Sequence, residues 1–345
     1  MSDFIQLHML TSYPPANLNR DDLGRPKTAT MGGAERLRVS SQSLKRNWRI
    51  SEVFQEALGG HLGTRTKRLG PEVYERLIAG GTAEKNAAVW AGKIAGVFGK
   101  LQKDGLHIEQ LAHISPEERR AVDELTETLC REQREPSKEE LDLLRYTPAA
   151  ADIALFGRML AADPGYNVEA ACQVGHAITT HRVVVEDDYF TAVDDLNTGE
   201  EDKGAGHIGE NGFAAGLFYS YLCLDRDQLV SNLGGDAELA DRAIGALTEA
   251  AVKVAPRGKQ NSFGSLAYAS YVRAERGSQQ PRSLSVAFLK PVQGNDYGET
   301  SIHALEQQAE NFDRVYGACA DATYTLNALK GTGSLDELKR FLVGG

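Results

Sequence analysis

The segment from Arg36 to Arg49 carries the side chains best suited to binding an anion. It reads Arg-Leu-Arg-Val-Ser-Ser-Gln-Ser-Leu-Lys-Arg-Asn-Trp-Arg, with five cations around short hydroxyls and an amide. Ser40 or Ser41 is predicted to cap a helix, and the free N–H groups and positive dipole of that helix end attract phosphate. Lys45 and Arg49 are four residues apart and share a face. A capped, solvent-exposed amphipathic helix remains the alternative interpretation.

A loop after the first predicted strand contains a further cation between polar groups. It reads Asn19-Arg20-Asp21-Asp22. Arg20 could reach a phosphate while one of the carboxylates orients it. Adjacent carboxylates point apart and make a poor metal pair, so a metal site is not favoured here.

A second polar, basic loop, Pro256–Phe263, lies between a predicted helix and a predicted strand. Its Lys259, Gln260 and Asn261 suit contact with phosphate or ribose, although a plain surface turn would have a similar composition. The loop is therefore a candidate for the same anionic ligand as the helix at Ser40.

No other motif favours catalysis, a metal or a cofactor. His176 and His181 are five residues apart, which does not align two imidazoles on a helix face. The run Gly204–Gly209 matches G-x-G-x-x-G, but acids surround it and no helix follows, so it indicates a hairpin tip rather than a nucleotide site. No nucleophile signature is present. We predict no enzymatic activity, no metal and no cofactor.

Composition excludes several classes of protein. With 345 residues, 41% apolar and 25% charged, the chain can bury a proper core and is neither disordered nor collagen-like. No apolar run approaches the ~18 residues of a membrane helix, and the N-terminus lacks the pattern of a signal peptide. The four cysteines are far apart and form no CxxC pair, which fits a reducing cytoplasm. We expect a cytoplasmic protein with no membrane partner.

Charge is distributed unevenly along the chain. The formal net charge is −10, yet residues 20–49 hold eight Lys and Arg against three acids, and residues 181–250 hold fifteen acids against four bases. A local basic strip can bind a polyanion on an acidic protein. Two unrelated solvated faces would give the same counts.

The hydrophobic patterns predict an α+β protein of ferredoxin or RNA-recognition type, with an inserted helical domain and a long hairpin. The expected strands are 4–10, 37–39, 183–185, 189–193, 213–224, 265–273 and 283–288. The expected helices are 41–58, 71–79, 83–103, 116–134, 137–141, 149–160, 168–180, 225–233, 237–254, 299–316 and 335–342.

Several blocks, in order from the N-terminus to residue 263, resemble the CasC family, the backbone subunit of the type I-E CRISPR surveillance complex Cascade. The blocks are Leu18–Asp22, Gly32–Gly33 with Arg36–Arg46, Asp152–Leu155, Gly157–Met159, His176–His181, Phe190–Leu196, Asn232–Gly235 and Gly258–Gln260. The resemblance implies a hand-like subunit. Residues 1–60 and 225–345 would form the RNA-recognition-like palm, 61–182 the helical fingers, and 183–224 a strand and the thumb hairpin.

The resemblance also implies a function. Copies of the family's subunit polymerise head-to-tail along a guide crRNA, and each thumb flips one base out. The remaining bases pair with target DNA, so the protein reads no sequence itself. The implied partners are guide crRNA, the target DNA strand, further copies of the chain and other Cascade subunits.

Matching motifs carry over a set of site residues. Met159 resembles an apolar wedge beside the kinked base, and Tyr189 stands where a relative has Trp, so an aromatic plane is kept. The implied guide-backbone contacts are Arg20, Lys27, Ser40, Gln42, Lys45, Arg46, Arg49, Lys259, Gln260 and Asn261. The implied thumb residues on the flipped nucleotide are Tyr189, Phe190, Thr191 and Ile208. Candidates for contact with target DNA, not matched by motif, are Arg131, Arg134, Lys138 and Arg145.

Two alternatives and one interface hypothesis remain at this level. Backbone subunits of related type III complexes cut RNA with an acidic residue near the thumb, for which Asp194 or Asp195 would be the candidate. A monomeric, regulatory RNA-binding protein is the other alternative. In a head-to-tail filament, the acidic segment 181–250 could face a basic patch on the next copy.

Overall fold

The structure is a computed structural model that describes residues 3–160, 163–192 and 207–344. Within these ranges, the strands are β1 (Phe4–Ala16), β2 (Thr28–Met31), β3 (Ala34–Val39), β4 (Thr64–Thr66), β5 (Ala112–Ile114), β6 (Cys172–Val174), β7 (Ala177–Thr179), β8 (Glu186–Ala192), β9 (His207–Asp225), β10 (Ala269–Gly277) and β11 (Ala322–Asn327). The helices are α1 (Ser41–Arg49), α2 (Glu52–Leu58), α3 (Leu69–Ala79), α4 (Glu84–Val97), α5 (Pro116–Glu132), α6 (Ala151–Phe156), α7 (Arg226–Asn232), α8 (Ala237–Lys253), α9 (Gln260–Phe263), α10 (Tyr297–Tyr316) and α11 (Leu335–Val343). The predicted α+β class is confirmed.

The palm is built on one antiparallel sheet. Its strands lie in the order β11-β10-β1-β9-β7-β3-β2, and β6 and β8 also pair with β9. Six of the elements occur along the chain in the order β1, α1, β7, β9, α8 and β10, with other elements between them. Across the sheet, the four strands of this set lie in the order β10-β1-β9-β7. This is the βαββαβ arrangement of a ferredoxin-like unit, with the other elements added to it.

Both faces of the sheet are covered. Along β1, Ile5, Leu7 and Met9 face a core shared with α1, α2, α8 and α11. On the other face, Leu10 joins a second core with α10 and a 3₁₀ turn at Ser285–Phe288. The alternation of a strand sends successive side chains to opposite faces, so a strand buried on both sides is almost continuously apolar or hydrogen-bonded.

The fingers have a core of their own. Buried apolar residues between Leu69 and Leu160 form a separate cluster, chiefly from α3, α4 and α5 with β5. Ser115 begins α5 with a reciprocal capping box to Glu118, followed by Pro116 at the first helical position. Most of residues 69–160 therefore pack on one another. The exception is α6, which packs its Ala151 and Leu155 into the palm core.

The thumb hairpin is an extension of a palm strand. One half of β9 pairs with β1, from Gly216 opposite Tyr13 to Asp225 opposite Phe4. The other half pairs with β8, from Phe213 opposite Glu186 to His207 opposite Ala192. Because β9 is continuous over 19 residues, the sheet sets the direction in which the thumb leaves the palm.

Some predicted elements are wrong in type or length. Residues 137–141 form turns, and the Ala-rich run 168–180, expected to be helical, contains β6 and β7, which pair with β9. Residues 283–288 contain a 3₁₀ turn rather than a strand, residues 183–185 form no strand, and β11 was not expected. Short apolar runs do not distinguish helix from strand, so long-range pairing decides between them.

Other boundaries moved for local reasons. Ser51 caps a new helix and divides the expected helix 41–58 into α1 and α2. The expected helices 83–103 and 149–160 shorten to α4 and α6. Strand β1 continues past Leu10 to Ala16, and its pairing with β9 skips the two prolines, which cannot donate to a ladder. None of the helices in the described ranges combines the length and apolar composition needed to cross a membrane.

Candidate nucleic-acid interface

The start of α1 is fixed by side chains from two other segments. The buried Ser40 hydroxyl accepts the N–H of Ser43 at 3.3 Å, and the Ser40 N–H donates to Asn19 Oδ1 at 2.9 Å. The Ser41 N–H donates to His176 Nδ1 at 2.8 Å. The predicted cap is present. Several N–H groups of this helix end are already used, so the cationic side chains supply most of the attraction for an anion here.

The loop 17–27 folds back beside α1. The Asn17 amide donates to the carbonyls of Gly24 and Gly212, each at 2.9 Å, which ties the loop to the base of the thumb. The Lys27 N–H donates to the Asn19 carbonyl, and the Arg38 N–H donates to the Lys27 carbonyl, both at 2.8 Å. The loop therefore places Lys27 next to Arg38 of β3.

The loop 256–264 reaches the same region and, contrary to the sequence prediction of a plain loop, contains the short helix α9. A Cβ on Gly258 would lie 2.2 Å from the Leu18 carbonyl oxygen, so only glycine allows this close approach. The Lys259 ammonium donates to Asn211 Oδ1 at the base of the thumb. Gln260 is half-buried and Asn261 is exposed. The two loops thus meet at the base of the thumb, through Asn17 with Gly212 and Lys259 with Asn211.

Five cations on this surface have no carboxylate partner among the described residues. We call Arg20, Lys27, Arg38, Lys45 and Arg46 the palm patch; each is exposed or half-exposed. Among the described residues, none of the five has a carboxylate oxygen within 4.0 Å. Burial, with the charges of Arg38 and Lys27, lowers the pKa of His176. In the described part of the chain, none of these five charges is therefore neutralised by an ion pair.

Two arginines of the same segment turn inward instead. The fully buried Arg36 donates to the carbonyl oxygens of Thr179 and Phe288, at 2.7 and 2.9 Å. The Arg49 side chain is 15% exposed and pairs with the buried Asp152 at 3.2 Å. Arg36 holds the fold together, and Arg49, an implied guide contact, is engaged by a carboxylate. Gln42, the other implied contact on α1, is exposed.

Met159 and the thumb residues lie on other surfaces. Met159 is 81% exposed and lines a cavity of about 310 Å³ in the fingers with Phe98 and Ile108. On β8, Tyr189 is 65% exposed and Thr191 is exposed. The Phe190 ring lies across Gly209, and a Cβ added to Gly209 would come within 2.3 Å of that ring.

Part of the predicted thumb lies outside the described residues. Ile208 pairs with Thr191 in the backbone register, but its side chain is outside the description. Asp194, Asp195 and the acidic run 200–202 lie entirely outside the described residues. Within the described ranges, no group of three or more His, Cys, Asp or Glu side chains could hold a metal ion.

Three of the four finger cations suggested for DNA contact have carboxylate neighbours. Arg134 donates to Glu132 and Glu140, and its hydrogen bonds are the main reason that the pKa of Glu140 falls to about 2. Arg145 pairs with Glu117 at 2.9 Å, and Arg131 lies 3.6 Å from Glu132. Lys138 is exposed and has no carboxylate within 4.0 Å in the described part of the chain.

Three groups at this surface were not among the implied guide contacts. Arg36 and Arg38 are two residues apart on β3 and therefore lie on the same face of the strand, yet Arg36 is buried and Arg38 is half-exposed. His176 anchors the Ser41 N–H. Arg25 pairs with Asp187 of β8 at 2.9 Å and links the loop to the thumb. The strand period does not separate Arg38 from Arg36, because contacts with Thr179 and Phe288 bury Arg36, and the other two groups also depend on contacts across the fold.

Comparison with known proteins gives similarity over the whole chain. A family model described as CT1975-like protein matches residues 5–340. No curated protein matches the chain. A solved chain described as "CRISPR RNA-guided surveillance complex, pre-nicking" is 30% identical, with 99% of both chains covered and a TM-score of 0.83. Another, described as "CRISPR RNA-guided surveillance complex", is 27% identical, with 99% of this chain and 98% of that chain covered and a TM-score of 0.62.

Proposed function

We propose a function for this chain, which belongs to the CT1975-like protein family. It is a non-catalytic crRNA-binding subunit of a CRISPR surveillance complex. The proposed complex is of the type I-E kind, which the sequence motifs resemble. Copies line the guide head-to-tail and hold its backbone, while its bases pair with target DNA. Structurally similar chains come from RNA-guided surveillance complexes, which supports the assignment.

The observation that carries the proposal is the position of the unpaired cations. The palm patch lies where loop 17–27, α1 and loop 256–264 meet the base of the thumb, and its charges lack carboxylate partners among the described residues. Side chains that bind phosphate need no contact with a base edge, so this surface suits binding to any sequence. Base pairing would then provide the sequence specificity.

The thumb supports the second part of the proposal. It projects as a continuation of β9 and exposes Tyr189 on β8, an aromatic plane on which a base can stack. Arg25 of loop 17–27 pairs with Asp187, two residues before Tyr189 on β8, so the thumb strand begins beside the loop that carries part of the patch. We propose that Tyr189, Phe190, Thr191 and Ile208 separate consecutive segments of the guide.

The deciding experiment is binding to single-stranded RNAs of increasing length, measured by anisotropy and by the mass of the complex. Particle mass is expected to rise stepwise with RNA length, with no dependence on base sequence. Adding the subunits that bind the guide ends distinguishes a monomeric RNA-binding protein from a filament that needs seeding. A mass fixed at one chain in both conditions would contradict the proposal, and RNA cleavage with Mg²⁺ would favour the ribonuclease alternative.

A further inference from the structure

A second group of cations gathers where the fingers join the palm. We call Arg49, Arg65, Lys67 and Arg68 the junction cluster. Arg65 lies on β4 directly opposite His113 of β5, and opposite residues on antiparallel strands share a face. His113 Nε2 is 3.4 Å from Arg49 Nη1. The ribbon of the fingers therefore brings Arg65 beside the last turn of α1.

One carboxylate serves this cluster, and its oxygens are already engaged. Asp152 Oδ2 contacts Arg49 at 3.2 Å and His113 at 2.8 Å, while Oδ1 accepts the N–H groups of Gly63 at 2.8 Å and Ile153 at 3.1 Å. The Asp152 side chain is fully buried. Arg65 is thus left without a carboxylate within 4.0 Å in the described ranges.

Arg65 lies in the electrostatic field of neighbouring cations. Arg65 is exposed, and a modest desolvation, then the charges of Arg49 and Arg46, lower its pKa against the opposing charge of Asp152. Lys67 and Arg68 follow on the exposed surface, also without a carboxylate partner in the described part of the chain. Like charges held this close repel, and an anionic ligand between them would relieve the repulsion.

The junction cluster is continuous with the palm patch. Arg46 belongs to the patch and lies one turn before Arg49 on α1, so cations run from loop 17–27 along α1 to β4. Spaced cations on a continuous surface suit a ligand with repeated negative charges, such as a phosphodiester backbone, better than a single small anion.

We propose that the junction cluster is a second binding site for a phosphodiester backbone, which extends the track of the palm patch onto the base of the fingers. The inference rests on the proposed function of the patch. Two strands have this chemistry, the guide RNA and the DNA strand paired to it, and the test distinguishes them.

The test compares the variant Arg65→Ala/Lys67→Ala/Arg68→Ala with Lys85→Ala. Lys85 is a matched control because it is exposed, lacks a carboxylate partner among the described residues, and begins α4 next to the far end of α3 from Arg68. One arm measures binding of single-stranded RNA against salt concentration, and the other measures capture of complementary single-stranded DNA by the protein–guide complex. Lys45→Ala in both arms reports on the palm patch.

The triple variant is expected to weaken binding by roughly tenfold or more in one arm, and to reduce its salt slope by roughly 0.7 per lost single-strand contact. A loss with RNA alone assigns the site to the guide backbone, and a loss only with DNA assigns it to the opposing strand. Thermal stability of the free variant should not fall, since repulsion is removed; a fall would indicate a structural role instead.

Two outcomes would overturn the inference in distinguishable ways. If neither arm changes while Lys45→Ala weakens RNA binding, the junction cluster is not a binding site and the proposed function stands. If Lys45→Ala also leaves RNA binding unchanged, the proposed function fails, and the inference fails with it.

Discussion

The five cations of the palm patch differ from eight cations of the fingers in whether a carboxylate of the chain neutralises them. Other finger cations, among them Arg65, Lys67 and Arg68, also lack a carboxylate within 4.0 Å in the described ranges. In the palm patch, five cations have no carboxylate within 4.0 Å among the described residues. In the described part of the fingers, by contrast, the following cations pair with acids: Arg76, Lys93, Lys100, Arg119, Arg131, Arg134, Arg145 and Arg158. A cation whose charge is not neutralised within the chain is free to bind a polyanion, whereas a paired one must first exchange its partner.

The largest effect is expected at the most buried finger pair. Arg158 Nη1 donates to both oxygens of Glu118 at 2.8 Å, and both side chains are almost fully buried. Glu118→Ala leaves a buried charge without its partner and should lower the free energy of unfolding by about 3–5 kcal/mol. Denaturant titration measures this loss. RNA binding per folded molecule should not change. A change in the salt slope of RNA binding would contradict the view that paired finger cations do not bind the RNA.

The palm also contains paired cations, and the pH dependence of the protein's stability tests their pairing. Burial alone would raise the pKa of the Glu275 carboxyl, but His8, Arg282 and Arg273 outweigh burial and hold the pKa well below its usual range. Burial lowers the pKa of His8 below its usual value. Both shifts mean that the unfolded chain binds protons more readily, so stability should fall as pH drops below about 6.5 through His8 and below about 4.5 through Glu275.

The variant Glu275→Gln separates the contribution of Glu275 to the pH dependence of stability from that of His8. It removes a charge from hydrogen bonds with arginines and should lower the free energy of unfolding at neutral pH by roughly 2–3 kcal/mol. It should also flatten the pH dependence below about 4.5 and leave the part between 6.5 and 4.5, where His8 titrates in the unfolded chain. An unchanged acid limb would show that another carboxylate is responsible.

The third prediction concerns the palm patch itself. Lys45→Ala should weaken binding of single-stranded RNA by up to about tenfold whatever its base sequence, and reduce the salt slope by roughly 0.7, because one phosphate contact is lost. Anisotropy titrations at several salt concentrations measure both quantities. A loss confined to particular sequences would contradict a backbone contact.

The smallest effect is expected for a paired finger lysine. Lys93 pairs with Glu135 at 2.7 Å, with both side chains about half exposed. Lys93→Ala should cost about 0.2–1 kcal/mol of stability and leave RNA binding unchanged. It is the matched control for Lys45→Ala, and an equal loss of RNA affinity would show that pairing does not decide which cations bind.

Local features of the fold could be predicted from the sequence. Ser40, Ser115 and Pro116 mark helix starts, and the period of β1 and β3 divides their side chains between two faces. Most strong helical patterns appeared close to their expected positions. The assignments that failed, such as 168–180 and 283–288, are short segments whose structure depends on a neighbour distant in sequence.

The sequence by itself determined where the basic residues of this protein concentrate and which helix begins among them. Only the tertiary structure decided which of them stay uncompensated. Arg49 meets Asp152 from more than a hundred residues away, and Arg36 meets the carbonyls of Thr179 and Phe288, while Arg38 and Lys45 meet no carboxylate in the described ranges. Sequence patterns reach only a few residues along a helix or strand, whereas charge pairing depends on distances that the whole fold sets.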